Sequence, residues 1–171
     1  TGDPVVAGSY AGDMLTRQIK VYGIAFDWDD TDKAVEICIE TPNGERYTCT
    51  ANKESTSIPQ DYAAVTDKAN PGVYHAFETE YFTLPEGGEQ ELKVIAYNVD
   101  NGQPVESLTI KAELMKLTNL SVKSMPSKTE YTVGDTLDTT GLVLNGHYEG
   151  TWHSVSLDKN VEITSGFTCT A

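Results

Sequence analysis

The chain of 171 residues consists of short runs in which apolar and polar side chains alternate, with turn signals between the runs. The clearest run covers residues 35–40, where Val35, Ile37 and Ile39 fall on one face. Alternation with a period of two indicates half-buried strands, and turns about every ten residues are typical of a sandwich. The pattern therefore predicts an all-β chain. Further strands are predicted at residues 19–26, 46–51, 81–84, 91–99, 105–114 and 117–124.

A domain boundary is predicted near Lys116. The strand that ends at residue 115 completes a first set, and a new alternation with Leu117, Leu120 and Val122 follows it. Residues 114–117 contain neither Gly nor Ser, which predicts a stiff junction. We therefore expect two tandem β-sandwich domains, at residues 1–115 and 116–171. In the second domain, strands are predicted near 131–133, 141–149, 151–157 and 161–169.

The chain is strongly acidic, with 12 Lys and Arg against 26 Asp and Glu and a formal net charge of −14. Such a charge repels nucleic-acid phosphates and anionic membrane surfaces, so we expect neither nucleic-acid binding nor membrane insertion. No apolar run is long enough for a transmembrane helix. The charge also favours a soluble monomer in the parent protein.

Two of the three cysteines flank a strong hairpin signal, Asn43-Gly44. If a two-residue turn closes that hairpin, Cys38 lies directly opposite Cys49, at a separation that a disulfide tolerates. The alternative is two free thiols in a reducing compartment, and the sequence leaves both open. Cys169 remains as the odd cysteine near the C-terminus.

The second segment contains a long motif that covers Lys128 to Asp138 (KTEYTVGDTLD) and continues with Gly141-Leu142-Val143, after Leu120-Ser121-Val122 and Pro126. In this motif the segment resembles bacterial immunoglobulin-like domains of the group 3 type. The resemblance implies a β-sandwich from the surface of a Gram-positive bacterium. It also implies a strand through Asn145-Gly146 and a turn at residues 148–151.

Domains of that type usually continue for two more strands beyond the position of Cys169. The resemblance therefore implies a second domain that is truncated at its C-terminal side. An unpaired sheet edge is a template for strand exchange, so a strand-exchange dimer of this fragment is an expectation. The alternatives are a shorter member of the family, or a native protein that continues past the fragment.

The first segment resembles a repeat module of bacterial cell-surface proteins that carries a GWAFD-like strand end. The matching residues are 23–30 (GIAFDWDD), 50–53 (TANK) and 94–99 (VIAYNV), and Ile24 replaces the usual Trp. Both resemblances imply Ig-like or fibronectin-like modules that are secreted or held at the cell wall.

Catalytic motifs are missing from the sequence. The three histidines, His75, His147 and His153, have no neighbouring nucleophile signature, and no Gly-rich loop precedes a helix. We therefore expect no enzyme activity and no required cofactor. Four carboxylates, Asp27, Asp29, Asp30 and Asp32, are candidate Ca²⁺ ligands, because Ca²⁺ prefers oxygen donors. The competing interpretation is a turn in which these side chains cap backbone amides.

Exposed aromatic residues beside carboxylates would suit a glycan. Trp28, Trp152 and Tyr62 are the leading ligand candidates, and Tyr74 and Tyr81 could line the same face. The polar segment 58–69 is predicted to be a crossing loop with a short helical turn.

Three functional hypotheses follow. The first is a non-catalytic spacer or adhesion module, and the second is a module that binds a cell-wall polymer, a glycan or a host surface protein. The third is an accessory domain of a cell-wall hydrolase or glycosidase. Burial of both Trp28 and Trp152 would favour the spacer, and a contiguous exposed aromatic patch would favour binding.

Overall fold

The computed structural model describes residues 2–54 and 74–168, and every regular element within them is a β-strand. The prediction of an all-β fold is confirmed. The chain divides into two compact units, Thr1–Leu114 and Met115–Ala171, one residue before the predicted boundary. The strands of the first unit are β1 Val5–Asp13, β2 Gln18–Phe26, β3 Glu36–Glu40, β4 Arg46–Thr50, β5 Ala76–Glu78, β6 Phe82–Thr83, β7 Gly88–Tyr97 and β8 Pro104–Leu114. Those of the second unit are β9 Lys116–Ser124, β10 Val143–Trp152 and β11 Val155–Ile163.

The first unit is a sandwich of two antiparallel sheets. Its first sheet has the order β1-β2-β5, with β6 also paired to β2, and its second has the order β4-β3-β7-β8. The chain therefore crosses between sheets, as in sandwiches with Greek-key connections. The inner faces of both sheets supply one core, whose largest fully buried members include Ile19, Val21, Ile37, Phe77 and Leu92.

Strand β1 has no clear alternation in the sequence and was not predicted. It pairs with β2 along its whole length, and Gly8 lies opposite Gly23. A Cβ atom on Gly23 would lie 2.0 Å from the carbonyl oxygen of Ala7, and one on Gly8 would lie 2.6 Å from that of Tyr22. The close approach of the two strands therefore requires both glycines.

The hairpin between β3 and β4 closes through three residues, not two. The Thr41 N–H donates to the Glu45 carbonyl, and the Gly44 N–H donates to the Thr41 carbonyl. Gly44 has φ +84°, so the loop is a turn over Pro42-Asn43 followed by a left-handed glycine. A two-residue turn would need a hydrogen bond from the backbone nitrogen of Pro42, which carries no hydrogen.

The extra loop residue moves the register by one position, so the predicted Cys38–Cys49 pairing is wrong. Cys38 lies opposite Thr48, and Cys49 lies opposite Ile37. Because side chains alternate along a strand, the two cysteines point to opposite faces of the sheet. Both thiols are free. Cys38 lies on the face of β3 opposite the core residues Ile37 and Ile39, and it is buried there.

In the second unit, the described residues form one antiparallel sheet of order β11-β10-β9. Residues 131–133 are not a strand, contrary to prediction, and the strand predicted at 161–169 ends at Ile163. The turn predicted at 148–151 is also wrong, because β10 continues to Trp152. The chain reverses at His153-Ser154, both of which have positive φ, as a tight hairpin turn requires. Asn145-Gly146 lies within β10, as the resemblance implied.

One face of this sheet is apolar. Register and alternation place the following residues on it: Leu117, Leu120 and Val122 of β9, Leu144, Tyr148 and Trp152 of β10, and Val155, Leu157, Val161 and Ile163 of β11. Six of them are exposed: Leu117, Leu120, Val122, Trp152, Val155 and Leu157. The opposite face carries polar residues such as Lys123 and Glu162, which form an ion pair. We name the first of these surfaces the apolar face of the second unit.

Candidate functional site

Asp27 is a structural residue. Its side chain is fully buried at the end of β2. One carboxylate oxygen, Oδ1, accepts a hydrogen bond from the Asp29 N–H at 3.0 Å, and Oδ2 accepts one from the Val99 N–H at 3.2 Å. Asp27 therefore links its own loop to the residues that follow β7, and each of its carboxylate oxygens accepts a backbone hydrogen bond.

The other carboxylates of this loop also have partners within the protein. Asp29 accepts a hydrogen bond from the Gly2 N–H at 2.9 Å, which lowers its pKa. Asp30 lies 3.0 Å from the Lys33 ammonium, which lowers the pKa of Asp30, and it accepts a hydrogen bond from the Asp32 N–H. Among residues 2–54 and 74–168, no group of three or more His, Cys, Asp and Glu could hold a metal ion. The contacts are those of a loop whose carboxylates cap amides.

Both tryptophans are exposed. Trp28 retains 53% of its accessible surface, and its ring meets Phe26 edge-on at 4.8 Å. Trp152 retains 42% and lies edge-on to His153. Tyr62 and the loop predicted at 58–69 fall outside the described residues. Burial of both tryptophans, the condition that favours a pure spacer, is therefore not met.

Two further exposed aromatic rings, of Tyr22 and Tyr81, belong to the outer face of the first sheet. Lys20 and Tyr22 project from β2 on the face opposite the core residues Ile19 and Val21. Glu78 lies directly opposite Tyr22. Tyr81 precedes β6 and lies opposite Lys20 when the β6 register is continued by one residue. We name Lys20, Tyr22, Glu78 and Tyr81 the tyrosine platform.

The platform depends on a β-bulge. Tyr22 pairs with Glu78 and Ile19 pairs with Phe82, so two residues of β2 lie opposite the three residues 79–81. At the bulge the Thr79 N–H donates to the Val21 carbonyl, and the Thr79 hydroxyl accepts from the Val21 N–H. The extra residue turns Phe82 into the core and leaves Tyr81 on the outer face.

The two tyrosines of the platform flank an ion pair. The Lys20 ammonium lies 2.9 Å from a Glu78 carboxylate oxygen and 5.4 Å from the centre of the Tyr81 ring. The hydrogen bond to Glu78 raises the pKa of Lys20, with smaller contributions from Tyr81 and Tyr22. Tyr22 is 36% exposed and Tyr81 is 55% exposed. The platform therefore presents aromatic surface beside a neutralised pair of charges.

The histidines and cysteines lie in separate environments. His75 is buried, with neither ring nitrogen hydrogen-bonded among the described residues, and burial lowers its pKa. His147 contacts Asn160 and Glu149, and its pKa is raised, chiefly by Asn160. Burial raises the pKa of Cys38, and it raises that of Cys49 to about 11. A high thiol pKa disfavours the thiolate that nucleophilic catalysis needs.

The described residues also line a shallow groove of ≈ 240 Å³ beside the acidic loop. Lys33, Glu36, Tyr97 and Asn98 contribute polar atoms to it. The Asn98 amide is already engaged, because it donates to the Gly2 carbonyl and accepts from the Asp100 N–H. The groove is smaller than ordinary pockets for organic ligands, which start at about 300 Å³.

Comparison of the chain with protein-family models, with curated proteins and with solved structures gave no match. The resemblances to surface modules therefore remain predictions. Within the described residues, no helix has the length and apolar character needed to cross a membrane.

Sequence reasoning named Tyr81 but missed Lys20, Tyr22 and Glu78. Alternation around Val21 could have placed Lys20 and Tyr22 on the outer face of β2. The position of Tyr81 relative to them could not have been obtained in this way, because it depends on a bulge that leaves no composition signal.

Proposed function

We propose that this chain is a non-catalytic adhesion segment of an extracellular bacterial surface protein. Exposure of both Trp28 and Trp152 carries this proposal, since a module with only a spacing role has no need of solvent-facing tryptophans. The exposed rings of Tyr22, Tyr74 and Tyr81 in the first unit support it further. Aromatic side chains contribute much contact area at low entropic cost, and they are enriched at binding surfaces.

The closed core of the first unit suits this role. Among the described residues, sixteen buried side chains form one cluster, so the outer faces and loops can carry binding residues without contributing to the core. The net charge of −14 keeps such a segment soluble. The partners that fit the proposal are a cell-wall polymer, a glycan or a host surface protein.

Binding of the purified chain to purified Gram-positive cell walls and to a mixed glycan and host-protein array tests the proposal. We expect retention on at least one surface, and loss of retention in a variant that carries Trp28→Ala, Tyr81→Ala and Trp152→Ala together. Circular dichroism and thermal melting of the triple variant serve as the folding check. Absence of retention on every surface would contradict the adhesion proposal.

A spacer is the second candidate, and the length of the connector favours it. Strand β8 ends at Leu114 and β9 begins at Lys116, so Met115 alone separates the strands of the two units. A connector this short leaves few rotatable bonds. If the chain is retained on none of the tested surfaces and small-angle scattering shows a rigid geometry between the two units, the spacer is favoured. An accessory role beside a hydrolase or glycosidase domain remains a variant of either proposal.

A further inference from the structure

We propose that the tyrosine platform binds a neutral polysaccharide built from pyranose rings with equatorial hydroxyls. The proposal rests on the adhesion function above and assigns a site and a ligand class to it. The site consists of Tyr22 and Tyr81 at opposite corners, with Lys20 and Glu78 at the other two.

The four corners are set by strand pairing. Lys20 and Tyr22 are two residues apart on β2, and their partners across the sheet are Tyr81 and Glu78. Diagonal neighbours in an antiparallel sheet are about 7–8 Å apart, within reach of long side chains. The Lys20–Glu78 ion pair follows one diagonal, and the two tyrosines mark the ends of the other.

The bulge at Thr79-Glu80 is the second observation that points to this face. Without the extra residue, Tyr81 would turn toward the core and Phe82 would turn outward. Two hydrogen bonds between Thr79 and Val21 hold the bulge in place. Bulges of this kind redirect side chains and are over-represented beside functional sites.

The chemistry of the four side chains matches a sugar. A pyranose ring with equatorial hydroxyls presents C–H bonds on its faces, which pack on a tyrosine ring, and hydroxyls at its rim. The carboxylate of Glu78 accepts hydrogen bonds from hydroxyls, and the ammonium of Lys20 donates to them. Small residues on β1 leave room beside the platform, because Ala11 pairs with Lys20 and Ser9 pairs with Tyr22.

Charge favours a neutral polymer over an anionic one. Glu78 neutralises Lys20 at 2.9 Å, so the platform has no net positive charge to attract an anion. The chain as a whole carries −14 and repels polyanions. A neutral glycan meets neither penalty.

The test is affinity electrophoresis of the full chain through gels that contain hydroxyethylcellulose, mixed-linkage β-glucan, glycol chitin or polygalacturonate. We expect retardation by at least one of the three neutral polymers and none by polygalacturonate. Tyr81→Ala and Tyr22→Ala should each weaken that retardation at least about tenfold, because each removes one stacking ring. Tyr81→Phe keeps the ring and should stay within about threefold of the parent chain.

Lys93→Ala is the matched control. Lys93 forms an exposed ion pair with Glu106 on the second sheet, and its loss should leave retardation unchanged. Thermal melting checks that each variant is folded, and Tyr22→Ala, which removes the other stacking ring, keeps the test decisive if Tyr81→Ala does not fold.

The outcomes separate this proposal from the adhesion function. Equal loss in Lys93→Ala, or loss in Trp28→Ala with Tyr81→Ala unaffected, would overturn the platform but leave adhesion standing. Retention on cell walls or on a host protein, with no retardation by any neutral polymer, would also overturn the platform proposal and leave the adhesion proposal standing. No retention on any surface or polymer would overturn both proposals.

Discussion

His75 is buried in the first unit, and neither of its ring nitrogens has a hydrogen-bond partner among the described residues. Its ring meets Phe26 at an angle, with the ring centres 5.9 Å apart. Charging an imidazole in such a place is unfavourable, which explains why burial lowers the pKa of His75. A side chain of this kind makes the stability of the unit depend on pH.

The sign of that dependence follows from proton linkage. Because the folded pKa is lower than the unfolded pKa of about 6.5, the unfolded state binds more protons between the two values. We therefore expect the free energy of unfolding to fall as pH drops below about 6.5, until the folded pKa is reached. Thermal melting at pH values from 7.5 to 4.5 measures this pH dependence. The melting temperature of His75→Leu should fall less steeply with decreasing pH than that of the parent chain. An unchanged slope in His75→Leu would assign the dependence to other groups.

Asp27 shows the opposite arrangement, a buried side chain with all its partners in place. Asp27→Ala should lower the free energy of unfolding by about 2–3 kcal/mol, because two backbone N–H groups, of Asp29 and Val99, lose their acceptor. Denaturant titration measures the loss. Asp32→Ala, in the exposed part of the same loop, is the control and should lower the free energy of unfolding by less.

The same contacts predict that calcium does not stabilise the acidic loop. The melting temperature of the parent chain should be the same in calcium and in chelator, and a clear rise with calcium would support a metal site at this loop.

Cys49 should react slowly. Burial raises the pKa of Cys49 from its ordinary value of 9.0 to about 11, so its thiolate fraction at pH 8 is about a hundredfold smaller than that of an exposed thiol. We expect iodoacetamide to label Cys49 far more slowly in the folded chain than in denaturant, with mass spectrometry as the readout. A Cys38–Cys49 disulfide in the non-reduced protein would contradict the observed register.

At the scale of elements, a single extra residue decides the structure in two places. The three-residue loop between β3 and β4 sends Cys38 and Cys49 to opposite faces, and the bulge opposite Val21 places Tyr81 outside. Register shifts of one residue exchange the two faces of a strand, so such small insertions decide which side chains can meet.

The hairpin loop can be tested through Gly44. Its φ is +84°, and a Cβ atom there would meet no other heavy atom within 4 Å, so the cost of a side chain is backbone strain alone. Gly44→Ala should therefore lower the free energy of unfolding by about 1–2 kcal/mol, and Gly44→Asn by less, because Asn tolerates the left-handed region. Chemical denaturation of the two variants measures the difference. Equal stability of Gly44→Ala and the parent chain would argue against this loop.

At the scale of the whole molecule, the two units differ in how completely they bury their apolar residues. The first unit encloses its core between two sheets, whereas the second leaves six large residues of its apolar face exposed. Apolar burial is the main source of stability, so the two units should not be equally stable. The predicted truncation of the second unit and its strand-exchange dimer remain predictions.

Hydrogen exchange read by mass spectrometry should show this difference. We expect amides of β2, β3 and β7 to exchange slowest, and those of β9 to β11 to exchange much faster in the same sample. Equal protection in both units would show that the apolar face is covered in solution.

Dye binding tests the exposure of the apolar face directly. The double substitution Val155→Thr and Leu157→Thr on this face should reduce binding of a hydrophobic dye, and Ser156→Thr on the polar face is the control.

The sequence by itself determined the fold class and the order of most strands. Alternation at Val35, Ile37 and Ile39 predicted β3, because a period of two is a local property that any strand with one buried face must show. The boundary was predicted after residue 115, one residue from the observed break after Leu114, for the same reason: one set of alternating strands ended there and another began.

Only the tertiary structure decided the register, and with it every side-chain cluster. Strand β1 exists because Gly8 and Gly23 let two backbones approach closely, which neither glycine shows alone. Cys38 and Cys49 separate because Pro42 lacks the N–H that a two-residue turn needs, and Lys20, Tyr22, Glu78 and Tyr81 meet because of a bulge. Pairing between distant strands is a non-local property, so a site built across strands follows from the whole fold and not from any segment of it.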